Sequence, residues 1–467
     1  MKEVYTVDIK FYQEAIKNIK VNGDKKYISL HFSFDDMTID PVRVLQYFDS
    51  NKGQRYWYRS KKESYTYNKV GIHYIASINK ARFDDDALKS EQRALFNSIQ
   101  HVDFGRESDT NLSLFGGMKF AAEETTDEWN DFSTVGFHLA KYQFDFINKI
   151  LIVTDLIENI DFDSILEEVG DLFDGVLSQK TLMPIIPEVT KSKDLFVEGW
   201  KQLVLKTIEK LNDDFVKVVL SRQRLLMFKE NLDANYLIER ANIDNTNFTI
   251  YFENYGTIFV SKTPERLFQI KDDILMTSAI AGSVPKLDSA HENTKNIEYL
   301  LSDKKNRFEH DLVTEDIVRN LGNYSANIEF SKEPQILESN FIYHLESKIK
   351  AKLNEDYNLF SILDTFHPTP AIGGYPKKQA LKYIRKKEFG ARGLYASPLG
   401  LIHEDDAAEF AVAIRSMFIK DRSATLYAGV GIVKDSDVES EFEETHVKFK
   451  PMMELLGVND ESQSTLD

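Results

Sequence analysis

Glu441, Glu444 and Lys448 recur at intervals of three and four residues, a spacing that would place two carboxylates and an ammonium on one stripe of a helix. Carboxylate oxygens beside a fixed cation can hold a hard metal ion and an anionic substrate together. The capping-box spacing of Ser436 and Glu439 predicts where that helix begins. Just upstream, Gly429 and Gly431 lie in the run Tyr427 to Val433, which reads as a strand ending in glycines. Such a strand lets a ligand approach backbone N–H groups closely.

Further candidates are scattered and each has a plainer reading. Lys217 alternates with Phe215 and Val219, so its amine could sit among apolar side chains that depress its pKa toward that of a general base, although strand lysines are commonly solvated. Glu265 follows Pro264 at a strand end, where it could face a pocket or merely pair with Arg266. Glu309 could add an oxygen of the kind magnesium prefers, or belong to a charged helix face. Arg415 interrupts the apolar run Ala411 to Met417 and so needs a carboxylate or phosphate partner, in substrate or in protein. Thr277 to Ser283 offers small residues and backbone donors that suit an anion or a tight turn.

These residues span most of a 467-residue chain, so several elements must carry them to one place. The pattern predicts an amphipathic helix around Asp194 to Leu211, a strand from Phe215 to Arg222 and a hairpin series from Asn247 to Leu275. A helix is expected from Asn296 to Leu321, with Phe308, Leu312 and Ile317 on its apolar stripe and Glu309 beside it. Turn chemistry marks His367 to Pro376, and strands return at Glu409 to Ile419 and Ser423 to Val433. The prolines of Leu182 to Glu188 predict an extended connector. They divide a motif-poor part, 1–190, from a motif-dense part, 191–458, before a polar tail, 459–467.

Composition narrows the chemistry. A formal charge of −17 and 42% hydrophobic residues describe a globular acidic chain and argue against nucleic-acid binding. With no cysteine there is no disulfide and no thiolate, so any metal must take oxygen or imidazole ligands. The amino terminus lacks a signal-peptide layout and no apolar run reaches bilayer length, which predicts a cytoplasmic protein with no membrane partner.

Taken in order, Lys217 to Arg222, Pro264-Glu265, Ile280 to Ser283, Glu309-His310, His367 to Ala371, Glu409 to Ser416 and Ser440 to Lys448 resemble the chorismate-utilising enzymes, most of all their isochorismate synthase branch. The resemblance runs from about Asp194 to Gly457. It implies an α+β fold like that of anthranilate synthase component I, with two stacked antiparallel β-sheets flanked by helices, and a monomer or weak homodimer. It implies chorismate as substrate and Mg2+ held by Glu309, Glu441 and Glu444. Tyr395, Arg415, Gly429, Gly431 and Lys448 match positions that hold substrate, with Gly282, Ser283, His344 and Thr369 lining the rest. Lys217 would activate water for attack at ring carbon 2 and Glu265 would protonate the hydroxyl leaving carbon 4, giving isochorismate for menaquinone or siderophore biosynthesis.

Lys217 disfavours an ammonia-using anthranilate synthase, and Ala281 stands where aminodeoxychorismate synthases carry a lysine. A salicylate synthase, which adds pyruvate elimination, shares nearly all these residues. A non-catalytic chorismate-binding protein would be expected to have lost Lys217, Glu265 or a metal carboxylate. Three positions depart from the pattern: Asn306 replaces a frequent carboxylate, which predicts weaker metal binding, Ser397 replaces a glycine, and Pro285-Lys286 replaces arginine-glycine.

Overall fold

Alternation along the strands decides the layers. In Gln54–Arg59, Tyr56 and Tyr58 enter one core and Trp57 the other. Phe248–Asn254 repeats the pattern with Ile250 and Phe252 against Tyr251, and Thr257–Thr263 with Phe259 against Ile258 and Val260. Strands apolar on both faces must be covered on both, which demands a layered α+β architecture. The computed structural model describes residues 9–51, 53–60, 68–104, 112–121, 127–178, 186–211, 215–243, 246–339 and 341–458. The tail 459–467 and the first part of the proline connector lie outside them.

One sheet runs from Tyr27–Ser33 through Ile150–Leu156, Val135–Asp145, Asn68–Lys80 and Gln54–Arg59 to Phe248–Asn254. It continues through Thr257–Thr263, Ser416–Lys420 and Ser423–Ile432 to Lys217–Phe228. The second sheet leaves the long Val135–Asp145 strand through Ser113–Met118. It then passes through Pro398–His403, Ala408–Val412, Arg266–Lys271 and Ile274–Pro285 to Ile342–Lys352. Among the described ladders only Tyr27–Ser33 with Ile99–Val102 is parallel.

The larger core joins the two sheets: Tyr56 of the first stacks on Phe115 of the second with ring centroids 4.4 Å apart. The other core lies under the helices Pro41–Tyr47, Phe162–Ser178, Ala234–Asn242 and Val438–Leu456. Strands before and after the proline connector are neighbours in both sheets, as where Gln54–Arg59 pairs with Phe248–Asn254. No helix among the described residues is long and apolar enough to cross a membrane.

Three local expectations are corrected. The helix expected from Asn296 to Leu321 is two, Ala290–Ser302 and Lys304–Leu321, because the Asp303 carboxylate accepts from Asn306 N–H and caps a fresh start. The buried stripe of the second helix is His310, Val313, Thr314, Ile317 and Leu321, which keeps Ile317 of the expected set and leaves Phe308 exposed. The last helix, Val438–Leu456, is capped by Asp437, not Ser436: the carboxylate accepts from Ser440 N–H at 2.9 Å, and Ser436 Oγ instead accepts from Val433 N–H. Finally, Asp194 ends the strand Val189–Asp194, and the helix that follows starts at Val197.

Candidate active site

The Val438–Leu456 helix, the Lys304–Leu321 helix and the ends of both sheets enclose a cavity of about 380 Å³. That is a volume suited to a small-molecule ligand. Glu441, Glu444 and Lys448 reach its wall from the first helix, and Glu309 from the second. Gly429, Gly431, Tyr395, Arg415 and Glu265 border it from strands and turns, and Gly282, Ser283 and His344 from the second sheet. Lys217 stands directly behind the wall, fully buried beside Gly431 and Glu309. Thr369 is buried and its neighbours Ala371 and Ile372, not Thr369 itself, line the space; its hydroxyl has no hydrogen-bond partner among the described residues. Residues dispersed from 217 to 448 are therefore brought together.

Each of the three carboxylates is paired with a lysine. Lys217 Nζ lies 2.6 Å from Glu309 Oε1, Lys305 Nζ 2.9 Å from Glu441 Oε1, and Lys448 Nζ 2.7 Å from Glu444 Oε1. Burial alone would raise the Glu309 pKa, but Lys217, Lys305 and Lys448 together hold it below the ordinary carboxylate range. Glu441 goes the other way: burial and the neighbouring Glu444 charge raise it, outweighing Lys305. The cavity thus concentrates negative charge that ammonium groups only partly relieve.

Arg415 is buried at the break between Ala408–Val412 and Ser416–Lys420, with its backbone in the left-handed region at φ 48°. Strained backbone of this kind concentrates at functional sites. Its guanidinium makes no hydrogen bond or ion pair with the described residues and borders the cavity, leaving an anion receptor facing the space. Tyr395 stacks on Tyr427 with centroids 5.2 Å apart, and burial pushes its phenol up to about 12, so it is a donor at neutral pH.

The glycines have a different reason from the one expected. A β-carbon at Gly429 would lie 2.5 Å from the Tyr395 hydroxyl, and one at Gly431 would lie 2.7 Å from Glu309 Oε1 and 2.8 Å from Lys217 Cε. They make room for the Tyr395, Glu309 and Lys217 side chains as much as for ligand. Ser283 N–H is also spoken for, donating to Asn306 Oδ1, while Ser283 Oγ and His344 Nδ1 are 2.8 Å apart. Gly282 (φ 77°) sits in the β-bulge between Ala281 and Ser283 that turns this segment toward the cavity.

The plainer readings of Lys217 and Glu265 do not hold. Lys217 is not solvated, and Arg266 pairs with Glu409 at 3.0 Å, leaving Glu265 buried in the cavity wall. Sequence reasoning missed Lys305, although its place four residues before Glu309 puts both on one helix face. It also missed Asp194, whose carboxylate binds Arg224 at 2.6 Å and Arg222 at 2.8 Å and lies 3.1 Å from His446. This cluster ties the Lys217–Phe228 strand to the Val438–Leu456 helix.

A family model described as "Chorismate binding enzyme" matches residues 14–457. The chain belongs to that family. Isochorismate synthase MenF of Bacillus subtilis is 27% identical over 97% of this chain and 99% of its own length. Anthranilate synthase component 1 of Saccharolobus solfataricus is 31% identical, over 56% of this chain and 62% of its own. The solved structure of MenF, the menaquinone-specific isochorismate synthase of Escherichia coli, superposes with a TM-score of 0.76 at 22% identity, covering 96% of this chain and 100% of that one. Anthranilate synthase component I of Streptococcus pneumoniae gives 0.65 at 18% identity over 97% and 99%. These likenesses establish the chorismate-binding-enzyme fold, including the paired sheets expected from the motifs.

The donor set of this chorismate-binding enzyme suits a hard divalent cation: three carboxylates on one cavity, two of them repelling each other, and no sulfur. Among the described residues no group of three acidic or imidazole side chains is gathered for a metal as it stands, because each carboxylate is turned to its lysine. Asn306 spends its side chain on the fold, donating to Asp303 at 2.8 Å and accepting from Ser283. Ser397 is buried and bonds Gly393 O, and Lys286 pairs with Glu338.

Proposed function

We propose that this chorismate-binding enzyme is an isochorismate synthase, isomerising chorismate by adding water at ring carbon 2 with loss of the carbon 4 hydroxyl. The observation that carries the reading is Lys217, wholly buried against Gly431 directly behind the wall of a cavity that also holds the buried carboxyl of Glu265. A lysine there favours water over ammonia as nucleophile. Lys217 takes the proton from water as its oxygen bonds to carbon 2. Glu265 delivers a proton to the hydroxyl at carbon 4, which departs as water, and the ring double bonds shift, so product and substrate share one formula.

Arg415, Tyr395 and Lys448 supply the cation and donors for the substrate carboxylates, and Gly282, Ser283, His344 and Thr369 shape the remaining space. The resting pair has Lys217 donating to Glu309, so base work requires that pair to be broken and Lys217 to give up a proton before it takes one from water. Mg2+ held by Glu309, Glu441 and Glu444 would supply neutralisation of the ring carboxylate and a template for its orientation. Similarity to an isochorismate synthase across 97% of the chain supports the same activity.

The test incubates purified protein with chorismate and Mg2+ and separates the products by chromatography. Isochorismate without pyruvate is expected. Salicylate with pyruvate would assign the chain to the salicylate synthases, and untouched chorismate would make it a binding protein.

A further inference from the structure

Of the three lysines that neutralise the cavity carboxylates, two are pinned. Lys217 is fully buried, and Lys448 also donates to Gly429 O at 2.8 Å. Lys305 is not: its side chain is 34% exposed, it stands in the first turn of its helix, and its hydrogen bond is to Glu441. Glu309 and Glu444 also act on its charge, so the most exposed of the three ammonium groups sits in the field of all three carboxylates. An exit is at hand, because the exposed carboxylate of Asp437 lines the same cavity and also feels Lys305.

We propose that Lys305 is a built-in counter-ion, holding the cation position against Glu441 when no metal is bound and leaving it when a divalent ion loads. The inference rests on the reading of Glu309, Glu441 and Glu444 as a Mg2+ site. The physical argument is one of exchange. Replacing an ammonium by a monovalent ion gains no charge and still requires dehydrating the newcomer, whereas a divalent ion adds a full charge to a site with anionic excess. Lys305 therefore makes the empty site tolerable, sets the metal affinity and discriminates against monovalent ions. It is a positioning residue and takes no part in proton transfer.

Calorimetric titration of the full chain with Mg2+ alone, in the absence of substrate, tests it on wild type, Lys305→Met and Lys305→Arg. Lys305→Met should bind Mg2+ roughly tenfold more tightly, the scale of an ordinary coupling between sites, while Lys305→Arg stays near wild type. Thermal melts give the second readout: without metal Lys305→Met should melt lower than wild type, and Mg2+ should raise its midpoint by more. Mg2+ affinity in Lys305→Met equal to or weaker than wild type overturns the counter-ion role, as does equal tightening in Lys305→Arg. Binding by none of the three proteins overturns both this role and the metal site it rests on, and binding by Lys305→Met alone supports both.

Discussion

Glu309 reaches its partner Lys217 across the face of Gly431, so closely that a β-carbon on residue 431 would lie 2.7 Å from the Glu309 oxygen. Both obstructing groups are near the ends of flexible side chains, so an added methyl displaces them without breaking the fold. Gly431→Ala should therefore shift the melting midpoint by no more than a few degrees while lowering turnover about tenfold or more. Steady-state rates beside a thermal melt check this; normal turnover would show that the pair need not sit where it does.

Lys217→Met should abolish turnover and also destabilise, because it leaves Glu309 with a desolvated charge and a lost partner. Breaking a buried pair costs about 3–5 kcal/mol, and roughly 2–4 is expected here because Glu309 keeps some exposure and other lysines nearby. Adding Glu309→Gln should recover at least half of that stability but none of the activity. Denaturant unfolding of the single and double variants measures the first. Near-normal product formation by Lys217→Met would refute the base assignment.

Asn306 links the Asp303 cap to the backbone of Ser283 through its amide. Asn306→Asp would set two carboxylates against each other and remove a donor. A loss of about 1–2 kcal/mol at neutral pH is expected. An unchanged urea midpoint would show that the amide is not what holds this corner.

The Asp194 cluster predicts a pH dependence. Burial alone would raise the Asp194 pKa, but His446, Arg224 and Arg222 hold it well below the usual carboxylate range. With the folded value depressed, the unfolded chain binds more protons in acid. The stabilisation is then complete above the unfolded value of about 3.9 and drains away as pH falls toward the folded one. Asp194→Asn should lose roughly 2–4 kcal/mol at pH 7, and its stability should decline less steeply than wild type below about pH 4. Parallel slopes in melts across that range would place the acid sensitivity elsewhere.

How much was legible in advance depends on the range of the interaction. The strand of Lys217, the glycine-ended strand and the final helix follow from periodicities that repeat within a dozen residues, so their existence could be read directly. The cap of that helix was misplaced by one residue, since Ser436 and Asp437 are both good acceptors and only the folded backbone decides which reaches an amide. The stripe through Phe308 failed because the helix packs on the face carrying His310, Val313, Thr314, Ile317 and Leu321, a choice made by the surrounding elements and not by spacing alone.

The sequence by itself determined which chemical groups this protein has, in what order, and that they match a chorismate-binding enzyme without cysteine chemistry. Only the tertiary structure decided that Lys217 faces Glu309, that Lys305 neutralises Glu441, and that Arg266 pairs with Glu409 and leaves Glu265 to the cavity. Residue type and spacing are properties of a short stretch of chain. The partner of a charge more than ninety positions away is fixed by how two sheets and two helices close on one another, and that closure is where burial assigns each ion its counter-ion.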